Sequence, residues 1–157
     1  MTHDELCLTA EKFLERNGFN VVFNDKFRAW TKHGEQPDAI GFRSGTSLLI
    51  ECKTSRSDFL ADKKKRFRKD PSKGMGDWRF MLTPKGLVTV EELPAGWGLL
   101  EVSNGRVYKK HGWPANSTMI SGAPFKGNKE SEIAMMYSAL RRMVIRGHFK
   151  EIYDGHP

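Results

Sequence analysis

The 157 residues carry 38% hydrophobic and 29% charged side chains, a balance that suits one folded domain and excludes a disordered or fibrous chain. No apolar run approaches the roughly 20 residues needed to cross a bilayer. The polar, acidic start Met1-Thr2-His3-Asp4-Glu5 does not match a secretory signal, so a cytoplasmic location and no membrane partner are expected. The formal charge of +7 is unevenly spread: from Lys53 to Lys73 nine basic residues face three acidic ones, which leaves +1 for the rest of the chain. A basic cluster on a balanced chain points to a polyanion partner.

In chain order, about Asp4–Asn17 reads as an amphipathic helix with Leu6, Ala10, Phe13 and Leu14 on one stripe and Gly18 as its stop. Phe19–Trp30, rich in Val and Phe, reads as one strand or two joined by a turn. Pro37–Phe42 and Ser47–Lys53 read as strands on either side of the turn Arg43-Ser44-Gly45-Thr46. A basic helix is predicted from about Ser57 to Arg68, with Ser55 or Ser57 as its N-cap and Pro71 beyond its end. A strand at Arg79–Thr83 and a short helix or turn at Leu87–Leu93 come next. A hairpin of Trp97–Val102 and Arg106–Tyr108 then turns at Asn104-Gly105. After a loop-like stretch, a helix over about 129–147 carries a stripe of Ile133, Met136, Tyr137, Leu140, Met143 and Val144, which reads as core. The fold class is α/β with a mixed central sheet flanked by helices, one domain over 1–157.

The two cysteines, Cys7 and Cys52, form no CxxC pair, and the histidines His3, His33, His111, His148 and His156 are scattered without ligand spacing. Reduced thiols and no structural zinc are therefore expected.

The chemistry concentrates in Pro37-Asp38-Ala39-Ile40-Gly41-Phe42 and Ser47-Leu48-Leu49-Ile50-Glu51-Cys52-Lys53. If the turn sets Phe42 opposite Ser47, the same register sets Asp38 opposite Glu51, on one face of the hairpin. Alternation along the strand brings Lys53 to that face. Apolar residues on both faces predict a covered strand pair, so charges at its end need partners. A divalent cation held by Asp38 and Glu51, with the Cys52 backbone carbonyl as a further oxygen donor, meets that need and suits Mg²⁺ or Mn²⁺. Lys53 is placed to orient an attacking water or to offset negative charge in a transition state. The plainer alternative is an ion-pair cluster of Lys53 with Glu51 and Asp38.

Pro37-Asp38, twelve residues, then Glu51-Cys52-Lys53 resembles the PD-(D/E)xK signature of the restriction-endonuclease-like superfamily. The run from Ile50 through Lys65 resembles more particularly phage-borne and MmcB-like members associated with DNA repair, and Leu93–Val102 resembles a later strand of that branch. The likeness covers about residues 4–108 and stops before the C-terminal helical extension. It implies a mixed sheet flanked by helices and Mg²⁺-dependent hydrolysis of nucleic-acid phosphodiesters, DNA ahead of RNA, in a bacterial or phage-infected cell. It also implies a further metal ligand on the first helix, for which Glu5 and Glu11 are the candidates and Glu5 the favoured one. Thr2-His3-Asp4-Glu5 equally matches a capping box, and Glu35, just before the Pro-Asp pair, is a less favoured ligand that reads as a loop carboxylate. Related enzymes are often dimers, so a homodimer is a possible state.

The basic helix supplies the substrate side: Arg56, Lys63, Lys64, Arg66 and Lys69 are the candidate phosphate contacts. Trp78 suits packing better than base stacking. The rival reading is a catalytically silent nucleic-acid-binding or regulatory protein on the same fold.

Overall fold

A computed structural model of the chain describes residues 1–153, so His156 and the last residues of the expected 1–157 domain lie outside the described residues. Helix α1 (His3–Arg16) opens with the capping box: Thr2 Oγ1 accepts from Glu5 N–H at 3.1 Å while Glu5 Oε2 accepts from Thr2 N–H at 2.8 Å. Strands β1 (Val21–Asn24), β2 (Ala39–Arg43) and β3 (Thr46–Cys52) form an antiparallel meander. Short helices α2 (Arg56–Asp62) and α3 (Arg66–Lys69) lead to β4 (Trp78–Pro84), which pairs parallel with β3. Strand β5 (Gly98–Ser103) continues parallel to β4, and β6 (Arg106–His111) returns antiparallel. The result is a six-stranded mixed sheet in the order β1-β2-β3-β4-β5-β6, with α4 (Lys129–Ile145) near the C-terminus.

The β2–β3 register is the expected one: Phe42 pairs with Ser47, Gly41 with Leu48, Ile40 with Leu49 and Ala39 with Ile50. The turn is tighter than expected, because Arg43 and Thr46 also pair, leaving Ser44 and Gly45 to turn the chain with Ser44 at φ 54°. Shortening a loop symmetrically changes no register. At the other predicted hairpin, Asn104 (φ 50°) and Gly105 (φ 73°) both adopt the left-handed conformation that a two-residue turn of matching twist requires.

Every residue of β3 is buried, as a strand covered on both faces demands. Ala39, Leu48, Ile50 and Cys52 face α1, whose Leu6, Cys7, Ala10, Phe13 and Leu14 complete one core layer. Gly41 permits this approach: a Cβ there would meet Phe19 Cβ at 2.9 Å. Ile40 and Leu49 face a second layer with Phe59, Met75, Met81, Val88, Trp97, Leu99 and Met135. Trp78 is packed rather than available for stacking, its indole N–H donating to the Met119 carbonyl at 2.7 Å.

Two expectations need correction. The basic helix is not continuous: the chain leaves α2 at Lys63, turns, and enters α3 through an extended Lys65. On an unbroken helix Asp62 and Arg68, six residues apart, would sit on different faces. The break lets Arg68 turn inward to Asp62 at 2.7 Å, an ion pair buried at both ends. The apolar stripe of α4 is not core either. Ile133, Tyr137, Leu140, Met143 and Val144 are exposed, and the buried residues of α4 are Ser131, Glu132 and Met135. Helical periodicity marks an apolar face without saying what covers it, and here the sheet's second layer closes on Met135 alone.

Candidate metal and nucleic-acid site

The C-terminal end of β3 is where charge enters the core. Asp38 stands one residue before β2, and continuing the ladder sets it opposite Glu51. Its Oδ2 accepts from Cys52 N–H at 2.8 Å, which pins the carboxylate across the strand end. The ladder to β4 runs on through Lys53, whose N–H donates to the Leu82 carbonyl at 3.0 Å, so its side chain leaves on the Glu51 face. Asp38, Glu51 and Lys53 thus occupy one corner, and Glu51 and Lys53 are each only 3% exposed.

The partners are not those expected from the hairpin alone. Lys53 Nζ does not pair with Glu51; it donates to Asp62 Oδ1 at 3.1 Å and lies 3.8 Å from Asp58. Glu51 instead lies 3.2 Å from Arg68 Nη2. Arg68 is the hub, donating to Glu35 through Nη1 and to Asp62 through Nε, both at 2.7 Å, with its guanidinium 4.6 Å from the Trp97 ring centroid. Glu35, taken from sequence as a loop carboxylate, is 1% exposed and also accepts from Met75 N–H at 2.7 Å. Arg68 and Asp62 are the residues that sequence reasoning missed, and Glu35 is one that it ranked low. Arg68 is one base among nine in its run, and nothing local marks it as the one that turns inward.

Four carboxylates (Glu35, Asp38, Glu51, Asp62) meet two buried cations, Lys53 and Arg68, with Asp58 and Lys65 at the rim. The surplus negative charge falls on Glu51. Burial first, then the Asp38 charge, pushes its pKa well above the usual carboxylate range against the pull of Arg68. Burial opposes the charges on Arg68 and Asp62 too, but the surrounding opposite charges together outweigh it: Asp62 is lowered by Arg68 and then Lys53, and Arg68 is raised by Glu51, then Glu35 and Asp62. Arg68 Nη2 nevertheless has no hydrogen-bond partner among the described residues.

Glu5 lies away from this corner in its function: it is exposed and its carboxylate is committed to the capping box. The residue of α1 brought to Asp38 is His3, with Nε2 3.3 Å from Asp38 Oδ1. Of the candidate phosphate contacts, Lys63, Lys64, Arg66 and Lys69 are exposed around the α2–α3 break, within a few residues of the buried network. Arg56 is tied down, forming a two-point ion pair with Glu92 at 2.8 and 2.7 Å and bonding the Leu87 carbonyl.

No family model matches the chain, and no curated protein matches it. A solved structure of a protein of unknown function from Silicibacter pomeroyi is similar over 100% of this chain and 97% of its own, with a TM-score of 0.60 at 22% identity. That likeness shows a shared fold. Among the described residues no helix is long and apolar enough to cross a membrane.

Proposed function

We propose that the protein is a metal-dependent nuclease hydrolysing nucleic-acid phosphodiesters, with DNA the favoured substrate, on the restriction-endonuclease-like pattern. One observation carries the reading: a buried corner with more carboxylates than cations, where burial first and then the Asp38 charge raise Glu51. Such a corner fits a hard divalent ion, because Asp38, Glu51 and the Cys52 carbonyl offer oxygen donors only. Mg²⁺ or Mn²⁺ bound there would supply a water of lowered pKa and polarise a phosphoryl oxygen. The chain's own contribution is positional. Asp62 aims the Lys53 ammonium into the corner, where it orients the water and offsets charge developing on phosphate. Lys63, Lys64, Arg66 and Lys69 receive the backbone of the substrate. The order helix, three antiparallel strands, helix, parallel strand supports the same reading.

The experiment is incubation with supercoiled, linear and single-stranded DNA and with RNA, in Mg²⁺, Mn²⁺ or EDTA. EDTA-sensitive cleavage, lost in Asp38→Ala and Lys53→Ala while binding persists, is the expected result. Cleavage without metal, or surviving Asp38→Ala, overturns it. The rival, a silent binding module, draws on the Arg68–Glu51 and Lys53–Asp62 pairs, which already neutralise part of the corner. Binding without cleavage of any substrate decides for it.

A further inference from the structure

Behind Asp38, on the α1 face of the sheet, a second set of donors converges that is chemically unlike the oxygen-only corner. His3 and Cys7 are four residues apart on α1 and share one face of the helix. Cys7 Sγ lies 3.7 Å from His3 Nδ1 and 3.8 Å from Nε2, and His3 Nε2 lies 3.3 Å from Asp38 Oδ1. The donor atoms of His3, Cys7 and Asp38 all fall within 4.8 Å of one another. Cys52, the last residue of β3, lies in the same core layer as Cys7, and both thiols are free and fully buried.

We infer that His3, Cys7 and Asp38 form a binding site for a thiophilic divalent cation of the zinc class, with a fourth position open. Metal–ligand bonds of about 2.0–2.3 Å at tetrahedral angles hold ligand atoms roughly 3.3–3.8 Å apart, the spacing already found between Cys7 and His3 (3.7 Å) and between His3 and Asp38 (3.3 Å). One sulfur, one imidazole and one carboxylate oxygen select zinc over magnesium by softness. The half-exposed His3 leaves an entry path, while the hydrogen bond from Cys52 N–H to Asp38 Oδ2 leaves Oδ1 turned toward His3. The Cys7 thiol releases its proton to solvent on binding. Sequence spacing hid the site because Asp38 lies 31 residues beyond Cys7 and is brought to it by α1 packing on the sheet.

The site stands without the nuclease reading; only its effect on cleavage rests on that reading. Because Asp38 belongs to both sets, zinc there withdraws a ligand from the oxygen corner, so it should act as an inhibitor.

Cobalt(II) is the probe, titrated into the reduced full chain and followed by absorption. Expected are one equivalent bound, a thiolate-to-cobalt charge-transfer band with intense tetrahedral d–d bands, and displacement by Zn²⁺ but not by Mg²⁺. Cys7→Ser should abolish the charge-transfer band. His3→Ala, at a half-exposed position in the first helical turn that folding tolerates, should weaken cobalt binding at least about tenfold. Binding without a charge-transfer band overturns the proposal, since it places the ion away from sulfur, either at Glu51 or at the nearby His3, Asp4 and Asp25. So does no binding, or affinity unchanged in His3→Ala. All these readouts are independent of DNA cleavage. In cleavage assays, zinc inhibition should vanish in Cys7→Ser.

Discussion

The two ends of β3 both bury charge, and they do it differently. At its start, Asp77 and Glu132 leave no carboxylate oxygen idle: Asp77 accepts from Ser47 N–H, Gly127 N–H and Lys129, and Glu132 from Ser47 Oγ, Gly76 N–H and Lys129. Burial works against Asp77, but these donors outweigh it and lower its pKa. The space is equally committed, since a Cβ on Gly127 would lie 2.1 Å from Glu132 Oε2. At the far end, Glu51 is pushed up rather than down, and Arg68 Nη2, ion-paired with Glu51 at 3.2 Å, has no hydrogen-bond partner among the described residues. A saturated cluster holds chain segments together; an unsaturated one retains capacity for something not of the chain.

The contrast can be broken most sharply by activity. Asp38→Ala, Glu51→Ala and Lys53→Ala should each lower cleavage by about 100-fold or more, while Glu132→Gln leaves the rate per folded molecule unchanged. Equal losses at both ends would erase the distinction. Stability should show the reverse order. Glu132→Ala orphans the Ser47 hydroxyl and the Gly76 N–H and should cost about 2–5 kcal/mol in urea denaturation. Glu51→Gln removes a poorly compensated buried charge and should raise neutral-pH stability by roughly 1 kcal/mol, while abolishing any stabilisation by Mg²⁺.

Acidity separates the two ends by sign. The raised Glu51 pKa means that its contribution is fully present below the ordinary carboxylate range and is lost as pH rises through the raised value. The lowered Asp77 pKa contributes above the ordinary range and is lost as pH falls through the lowered value. Denaturation midpoints across pH should therefore lose, in Glu51→Gln, the decline that sets in as pH rises above the ordinary carboxylate range, and, in Asp77→Asn, part of their acid-side decline. The smallest effect concerns the surface. Neutralising Lys63, Lys64 and Arg66 together should reduce the salt slope of DNA binding by about 2–3, and Arg56→Ala, already paired with Glu92, should change it little.

The hairpin was legible because two local facts determine it: a turn short enough to define the pairing, and strand alternation that then assigns every face. From these follow Asp38 opposite Glu51, Lys53 beside it, and the burial of Ile40 and Leu49 on the same side. Turn residues with left-handed preference likewise located the β5–β6 hairpin. Capping chemistry offered Glu5 a local partner, and the local partner is the one it takes.

What the sequence by itself determined about this protein is the identity and register of the acidic corner, since both rest on contacts between near neighbours in the chain. Only the tertiary structure decided which charges fill it. Arg68 reaches Glu35 across 33 residues, His3 reaches Asp38 from α1, Cys7 and Cys52 share one core layer, and the stripe of α4 stays uncovered. Each depends on how elements pack, and the burial energy that selects one packing belongs to the whole core rather than to any segment.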